Sequence, residues 1–198
     1  MNTLNDQTTL AAALMQSRQT ILPKRLVDPG PDSAQLELVL SVAASAPDHG
    51  QLMPWRFVVV PREARGRLGD AFAEALRLRD PKASPEQLAQ AEEKAHRAPV
   101  LILVVVDTER TDPTIPAHER ILSAGCAVQN ILLIATAMGF GSALTSGKAM
   151  SAAPLRQLFG LVASELALCF VSIGTATTRK PARLRPAVAD YVSYLPPK

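Results

Sequence analysis

Residues 45–60 read Ser-Ala-Pro-Asp-His-Gly-Gln-Leu-Met-Pro-Trp-Arg-Phe-Val-Val-Val, and this stretch decides the fold. Pro47 ends the helix that precedes it, because a proline disfavours helical backbone in the residue before it. Pro54 fixes the chain just before the only tryptophan, and the β-branched residues that follow predict a strand. Asp48 and His49 therefore lie on a short loop that is held by a helix on one side and a strand on the other. Polar side chains held in this way are typical of a functional site.

The length and composition predict one domain, residues 1–198, with a sizeable core. Hydrophobic residues make up 47% of the chain but aromatic residues only 4%, so Leu, Val, Ala and Ile must fill that core. Cys126 and Cys169 lie inside apolar runs without metal-ligand spacing, which predicts buried free thiols. Free thiols and an N-terminus without signal-peptide character indicate the cytoplasm.

The net charge of +3 permits a nucleic-acid partner, but the pattern of charges does not favour one. Basic residues cluster only near the C-terminus, and no aromatic residues alternate with them as a base-stacking surface would need. The apolar run Ile121–Met138 is long enough to raise the question of a membrane span. Gln129 and Asn130 interrupt its middle, so we predict a buried or interface helix and no membrane partner.

Capping patterns and periodicity predict several helices. Asp32 with Gln35 forms a capping box, and Ser84 with Gln87 forms a second one. Further helices are predicted over three ranges: Thr8–Gln19, Arg62–Arg79 and Glu119–Met138. Residues 62–98 are read as a helical excursion, and its second helix is poor in large apolar residues.

Continuous apolar runs predict the buried strands Val100–Val106 and Leu166–Ile173, the second ended by Gly174. Ser142–Ser146 is predicted as a short strand and Tyr191–Leu195 as a last edge strand. Together these elements predict an α+β fold, a mixed sheet flanked by helices.

The sequence carries no catalytic constellation of its own. It has no nucleophile elbow, no P-loop and no pair of histidines at metal-ligand spacing, so we assign neither a catalytic side chain nor a metal site. Gly139-x-Gly141 follows a helix and lacks a third glycine, which excludes a dinucleotide-binding turn. An enzyme that lacks such a constellation can still work if a cofactor carries the chemistry.

Three motifs together resemble the nitroreductase family, in particular its short bacterial branch. The first is Ala46-Pro-Asp-His49 with Pro54-Trp55 downstream. The second is Gln129-Asn-Ile-Leu-Leu133 followed by Gly139-Phe-Gly141. The third is Ser17-Arg-Gln-Thr20, where the family carries Arg-x-Ser. Gln19 replaces the usual second arginine of that motif, and Met53 replaces a glutamine before Pro-Trp.

The resemblance implies a nitroreductase-like fold, an intertwined homodimer, and FMN bound at its interface. It assigns the phosphate and ribityl contacts to Arg18, Gln19 and Thr20, and further flavin contacts to Ser45 and His49. Donors to the flavin ring are assigned to Leu144, Thr145 and Ser146. The resemblance also implies that a basic residue of the C-terminal segment, Arg183 or Arg185, closes on the phosphate.

The function that the resemblance implies is NAD(P)H-dependent reduction of a nitroaromatic, a quinone or a similar small electron-poor acceptor. The reaction is expected to be ping-pong, with hydride passing through flavin N5. Two alternatives remain open: an FMN carrier or sensor without turnover, and a flavin-free scaffold whose basic tail binds an acidic partner.

Overall fold

The computed structural model describes residues 3–179, 181 and 184–197, and these residues form six α-helices and five strands. The helices are α1 (Thr3–Ser17), α2 (Ser33–Ser41), α3 (Arg65–Arg79), α4 (Pro85–Glu93), α5 (Ala117–Ala137) and α6 (Ala153–Leu158). The strands are β1 (Leu26–Val27), β2 (Trp55–Val59), β3 (Val100–Asp107), β4 (Gly141–Thr145) and β5 (Glu165–Ala176).

The five strands form one sheet in which β5 pairs with three others. β3 lies between β2 and β5, while β4 pairs with residues 170–174 of β5 and β1 with residues 175–176. All of these pairs are antiparallel, and an isolated bridge between Thr20 and Ser142 adds a parallel component. The predicted α+β class is confirmed.

Helices cover both faces of the sheet. α2 and α5 pack on one face, against a cluster that includes Ile102, Val104 and Val171. α3 and α6 pack on the opposite face, against a second cluster that includes Leu103 and Phe170. Because β3 contributes alternate residues to the two clusters, its continuous apolar sequence is explained by burial on both faces.

The helix α5 is long and apolar enough to cross a membrane by length and composition. Eight of its residues are buried inside the fold, among them Ala127, Val128 and Ile131, which pack against the sheet. Asn130 lies within the polar interruption, and its amide nitrogen donates to the carbonyl of Val42 over 3.2 Å. The prediction of a buried helix is confirmed for this side of α5.

Both predicted capping boxes are present. The backbone N–H of Gln35 donates to the Asp32 carboxylate over 2.9 Å, and the Asp32 N–H donates to the Gln35 side chain over 3.0 Å. Ser84 and Gln87 form the same reciprocal pair at the start of α4. These signals depend only on residues three positions apart, which is why the sequence reveals them.

Three local predictions are wrong. Gly174 does not end its strand, because β1 pairs with the next two residues and extends β5 to Ala176. Tyr191–Leu195 forms no strand in the chain, because no sheet edge among the described residues pairs with it. Cys169 is buried as predicted, but Cys126 is only half-buried on α5.

Candidate active site

A cavity of about 530 Å³ opens between the sheet and the α3–α4 pair. Its floor is apolar and is formed by side chains of α3, β3, β5 and the turn after β4. These side chains are Phe72, Leu76, Leu101, Met150 and Phe170. A concave site with an apolar and aromatic lining is typical of pockets that bind small molecules.

The end of β4 brings polar groups to this cavity. Thr145 and Ser146, both predicted as flavin contacts, line it, and the predicted Leu144 lies next to them with 45% of its surface exposed. The Ser146 hydroxyl donates to the carbonyl of Leu168 over 3.3 Å, which ties the segment to β5. A ligand in the cavity can therefore reach Thr145 and Ser146.

The rim of the cavity carries four cationic side chains, Arg79, Lys94, Arg97 and Lys148, and its lining includes no carboxylate. Arg97 pairs with Glu93 over 2.5 Å, and this hydrogen bond lowers the pKa of Glu93. Within the part of the chain that the structure describes, the other three rim cations form no ion pair.

This cationic rim is not among the features predicted from the sequence. A signal was available for Arg79, because it follows Phe72 and Leu76 at the i, i+4, i+7 spacing of one helix face. No comparable signal exists for Lys94 or Lys148, since only the packed tertiary structure brings their segments to the same cavity.

A second set of predicted residues lies on the chain that leads into the cavity. The Ile21 N–H donates to the Ser142 carbonyl over 2.9 Å, so the segment after Arg18 runs beside β4 as far as Leu22, which lines the cavity. Four extended residues span about 13 Å. Arg185 donates to the carbonyl of Arg18 over 3.1 Å, which brings these two predicted residues together. Arg183 lies outside the described residues.

Two buried polar atoms, one on this segment and one on the adjacent β4, have no hydrogen-bond partner among the described residues. They are the side-chain oxygen of Gln19 and the hydroxyl of Ser142. Gln19 was predicted as a flavin contact, and Ser142 was not. A buried polar group left unpaired costs about 1–3 kcal/mol, so such groups are typical of places where a ligand or water completes the hydrogen bonding.

The remaining predicted residues, Ser45 and His49, do not line this cavity. Nδ1 of His49 instead lies 2.7 Å from the Glu119 carboxylate at the start of α5, and both side chains are solvent-accessible. Within the single chain, the structure therefore divides the predicted site residues between the cavity with its entry segment and this separate loop.

The loop that carries His49 has an unusual backbone. Gly50, Gln51 and Met53 have φ values of 70°, 52° and 46°. Non-glycine residues in this region cost of order 1–3 kcal/mol each, so the surrounding structure must hold them. The Asp48 carboxylate does so by accepting the Met53 N–H over 2.6 Å. Strained loops of this kind occur mostly at functional sites.

A buried arginine orders the segment that packs against this loop. Arg120 donates to the carbonyls of Arg110, Asp112 and Ile115, the first over 2.7 Å and the last over 3.0 Å. The resulting fold of residues 110–115 places the Ile115 side chain against Gly50, where an added Cβ would lie 3.0 Å from it. Sequence reasoning missed Arg120, because charged residues are rarely fully buried.

Comparison with known proteins identifies relatives of this chain. Residues 16–175 match the Nitroreductase family. A protein of Haemophilus influenzae named "Putative NAD(P)H nitroreductase" is 36% identical over 93% of this chain and 99% of the relative. The Escherichia coli K12 protein "Putative NAD(P)H nitroreductase YdjA" is 31% identical over 86% of this chain and 92% of the relative.

Solved structures share the fold. A nitroreductase-like family protein from Bacillus cereus matches with a TM-score of 0.78 at 19% identity, over 93% of this chain and 95% of the other. A nitroreductase with bound FMN from Desulfitobacterium hafniense matches with a TM-score of 0.67 at 20% identity, over 93% and 97% of the two chains. The predicted nitroreductase-like architecture is confirmed.

Proposed function

The chain belongs to the nitroreductase family of oxidoreductases, and from this premise we propose that it binds FMN and uses NAD(P)H to reduce a nitroaromatic, a quinone or a similar electron-poor acceptor. The observation that carries the proposal is the continuity of the site. A cationic, hydrogen-bonding segment at Arg18–Thr20 leads into an apolar cavity bordered by Thr145 and Ser146.

The donor set of this chain fits FMN. The guanidinium groups of Arg18 and Arg185 suit a phosphate, because charge-assisted hydrogen bonds from arginine match phosphate oxygens. Thr20 and the unpaired oxygens of Gln19 and Ser142 suit the hydroxyls of a ribityl chain. The aromatic floor at Phe72 and Phe170 suits the flavin ring.

The residues of the chain bind and position, and none acts as a nucleophile. FMN, when bound, supplies the group that accepts and returns hydride, so one cavity serves the electron donor and the acceptor in turn. Thr145 and Ser146 hold the polar edge of the ring, and the rim cations favour added negative charge within the cavity. This assignment supports a ping-pong order and a loose acceptor specificity.

We also propose that two copies of the chain form the working unit. Large apolar side chains are exposed on α1, on α5 and along the C-terminal segment, including Leu10, Leu122, Leu184, Tyr194 and Leu195, which have 68–95% of their surface in solvent. Exposed apolar groups in this number favour an interface. In the dimer, Ser45 and His49 of each copy complete the flavin site of the other.

We further propose a single domain and a cytoplasmic location for this protein. Residues 1–198 form one flavin-binding domain. This is supported by the two core clusters, which lie on opposite faces of the same sheet. The cytoplasm is the compartment, which is supported by two free cysteines in different elements.

An anaerobic absorbance spectrum tests the proposal directly. The purified protein should be yellow, should release FMN on denaturation, and should bleach when NADPH or NADH is added under argon. A released cofactor that co-migrates with FAD, or a colourless protein that does not take up FMN, would contradict the flavin assignment. A yellow protein that neither nicotinamide reduces would replace the reductase by the FMN carrier or sensor.

A further inference from the structure

The rim of the cavity holds more positive charge than the protein itself neutralises. Arg79 extends from the end of α3, Lys94 from the turn after α4, and Lys148 from the turn after β4. Among the described residues these three side chains form no ion pair, and no Asp or Glu lines the cavity. Like charges gathered along a low-dielectric wall focus a positive potential into the cavity.

The phosphate of the proposed cofactor does not account for this charge. Its arginines, Arg18 and Arg185, lie at the start of the entry segment, about four extended residues before Leu22 reaches the cavity. Arg79 and Lys94 belong to the α3–α4 pair, which contributes the wall around Phe72 and Leu76. Because the oxidised flavin ring carries no charge, these cations are left for the anionic group of a second ligand.

We propose that the rim selects a substrate that carries both an aromatic ring and an anionic group, and that Arg79, Lys94 and Lys148 hold its carboxylate or phosphate. The proposal rests on the proposed function, because it describes the second ligand of the same cavity. The aromatic part of this ligand shares the apolar cavity with the flavin ring, and the rim neutralises the charge of the ligand. The anion belongs either to an acceptor with a carboxylate or to the 2′-phosphate that distinguishes NADPH from NADH.

Titration calorimetry on the protein as purified tests this without electron transfer. One arm compares 4-nitrobenzoate with its neutral match, 4-nitrobenzyl alcohol. The other compares adenosine 2′,5′-bisphosphate with adenosine 5′-monophosphate. We expect the more anionic member of at least one pair to bind about five- to ten-fold more tightly, and this preference to shrink as NaCl rises from about 50 to about 500 mM.

A matched pair of variants locates the effect. Arg79→Gln should reduce the preference about three- to ten-fold, and Arg79→Gln with Lys94→Gln should abolish it. Arg77→Gln is the control, because Arg77 lies on the same helix, pairs with Glu74 and does not line the cavity. The control should bind both members of each pair as the parent does.

The calorimetry distinguishes the two possible sources of the anion. It also distinguishes a failure of the rim proposal from a failure of the proposed function. A preference confined to the nitrobenzoate pair assigns the anion to the acceptor, and one confined to the adenosine pair assigns it to the electron donor. Equal binding within both pairs, or an equal loss in Arg77→Gln and Arg79→Gln, would overturn the rim proposal. Flavin content is measured on every sample, so a failure to hold FMN is recognised separately from a failure to select anions.

Discussion

Gly174 offers a sharp test of the packing that supports the site. A Cβ at this position would lie 2.5 Å from Cδ and 2.9 Å from Cγ of Pro99, and 3.1 Å from the carbonyl oxygen of Val27. The proline ring cannot swing aside as a flexible side chain can, and the carbonyl belongs to β1. Gly174→Ala must therefore displace either β1 or the start of β3.

The size of the effect follows from these distances. Carbon atoms pack best at about 3.5–4.0 Å, so the closest contact is too short by about 1 Å. Overpacking of a core typically costs about 1–3 kcal/mol, and two short contacts to fixed atoms place this site at the upper end. Alanine also restricts the unfolded chain, which offsets about 0.4–1 kcal/mol. We expect a net loss of about 2 kcal/mol.

Urea and thermal unfolding at fixed protein concentration measure this loss, and the melting temperature should fall by about 4–8 °C. Gly66→Ala is the matched control on α3, where an added Cβ meets no atom within 4 Å. It should leave stability unchanged or raise it by up to about 1 kcal/mol.

A rescue experiment isolates the contact. Pro99→Ala removes the two ring atoms nearest to the new Cβ. The free energy of unfolding that this substitution removes should therefore be at least about 1 kcal/mol smaller in the Gly174→Ala background than in the parent. Gly174→Ala within about 0.5 kcal/mol of the parent, or strict additivity with Pro99→Ala, would refute the argument.

Three further predictions concern the cofactor, a buried thiol and the interface. Arg18→Ala should weaken FMN binding by about 1.5–3 kcal/mol, the range for a charge-assisted hydrogen bond, as measured by equilibrium dialysis; unchanged affinity would make Arg18 a surface residue. Burial raises the pKa of Cys169 to about 11. Above about pH 9 the unfolded thiol ionises while the folded one stays protonated, so this group lowers stability by about 2 kcal/mol between about pH 8 and pH 10.5. Urea titrations should show that Cys169→Ala removes this part of the pH dependence, and an identical pH slope in the variant would contradict it. Leu122→Asp should shift light scattering toward the monomer, while Leu78→Asp, an equally large change at another exposed leucine, should not; equal behaviour of the two variants would exclude α5 from the interface.

Features that depend on neighbouring residues could be read from the sequence. The capping box at Asp32 and the one at Ser84 are present as predicted, and the apolar run of β3 is buried on both faces. Each of these signals lies within one element, so the rest of the fold does not alter it.

Features that depend on distant pairing could not be read. Whether β5 stops at Gly174 depends on β1, which precedes it by about 150 residues and pairs with it through only two residues. The rim cations belong to three separate segments, and nothing local distinguishes Lys94 or Lys148 from an ordinary surface lysine. Arg120 was equally hidden, because its three carbonyl partners exist only after residues 110–115 have folded around it.

The strained loop at residues 48–53 is rigid both by its sequence and by its contacts in the structure. Its sequence, with prolines on both sides, indicates a rigid loop. In the structure Gly50, Gln51 and Met53 have positive φ, and the Asp48 carboxylate fixes the loop by accepting the Met53 N–H. Within a single chain the strained loop does not contribute to the cavity, since Ser45 and His49 lie apart from it. A rigid loop with solvent-accessible polar groups is well suited to bind another molecule, because it loses little conformational entropy when the contact forms. A second copy of the chain that brings its own loop to the cavity would explain both the divided site and the exposed leucines of α1 and α5.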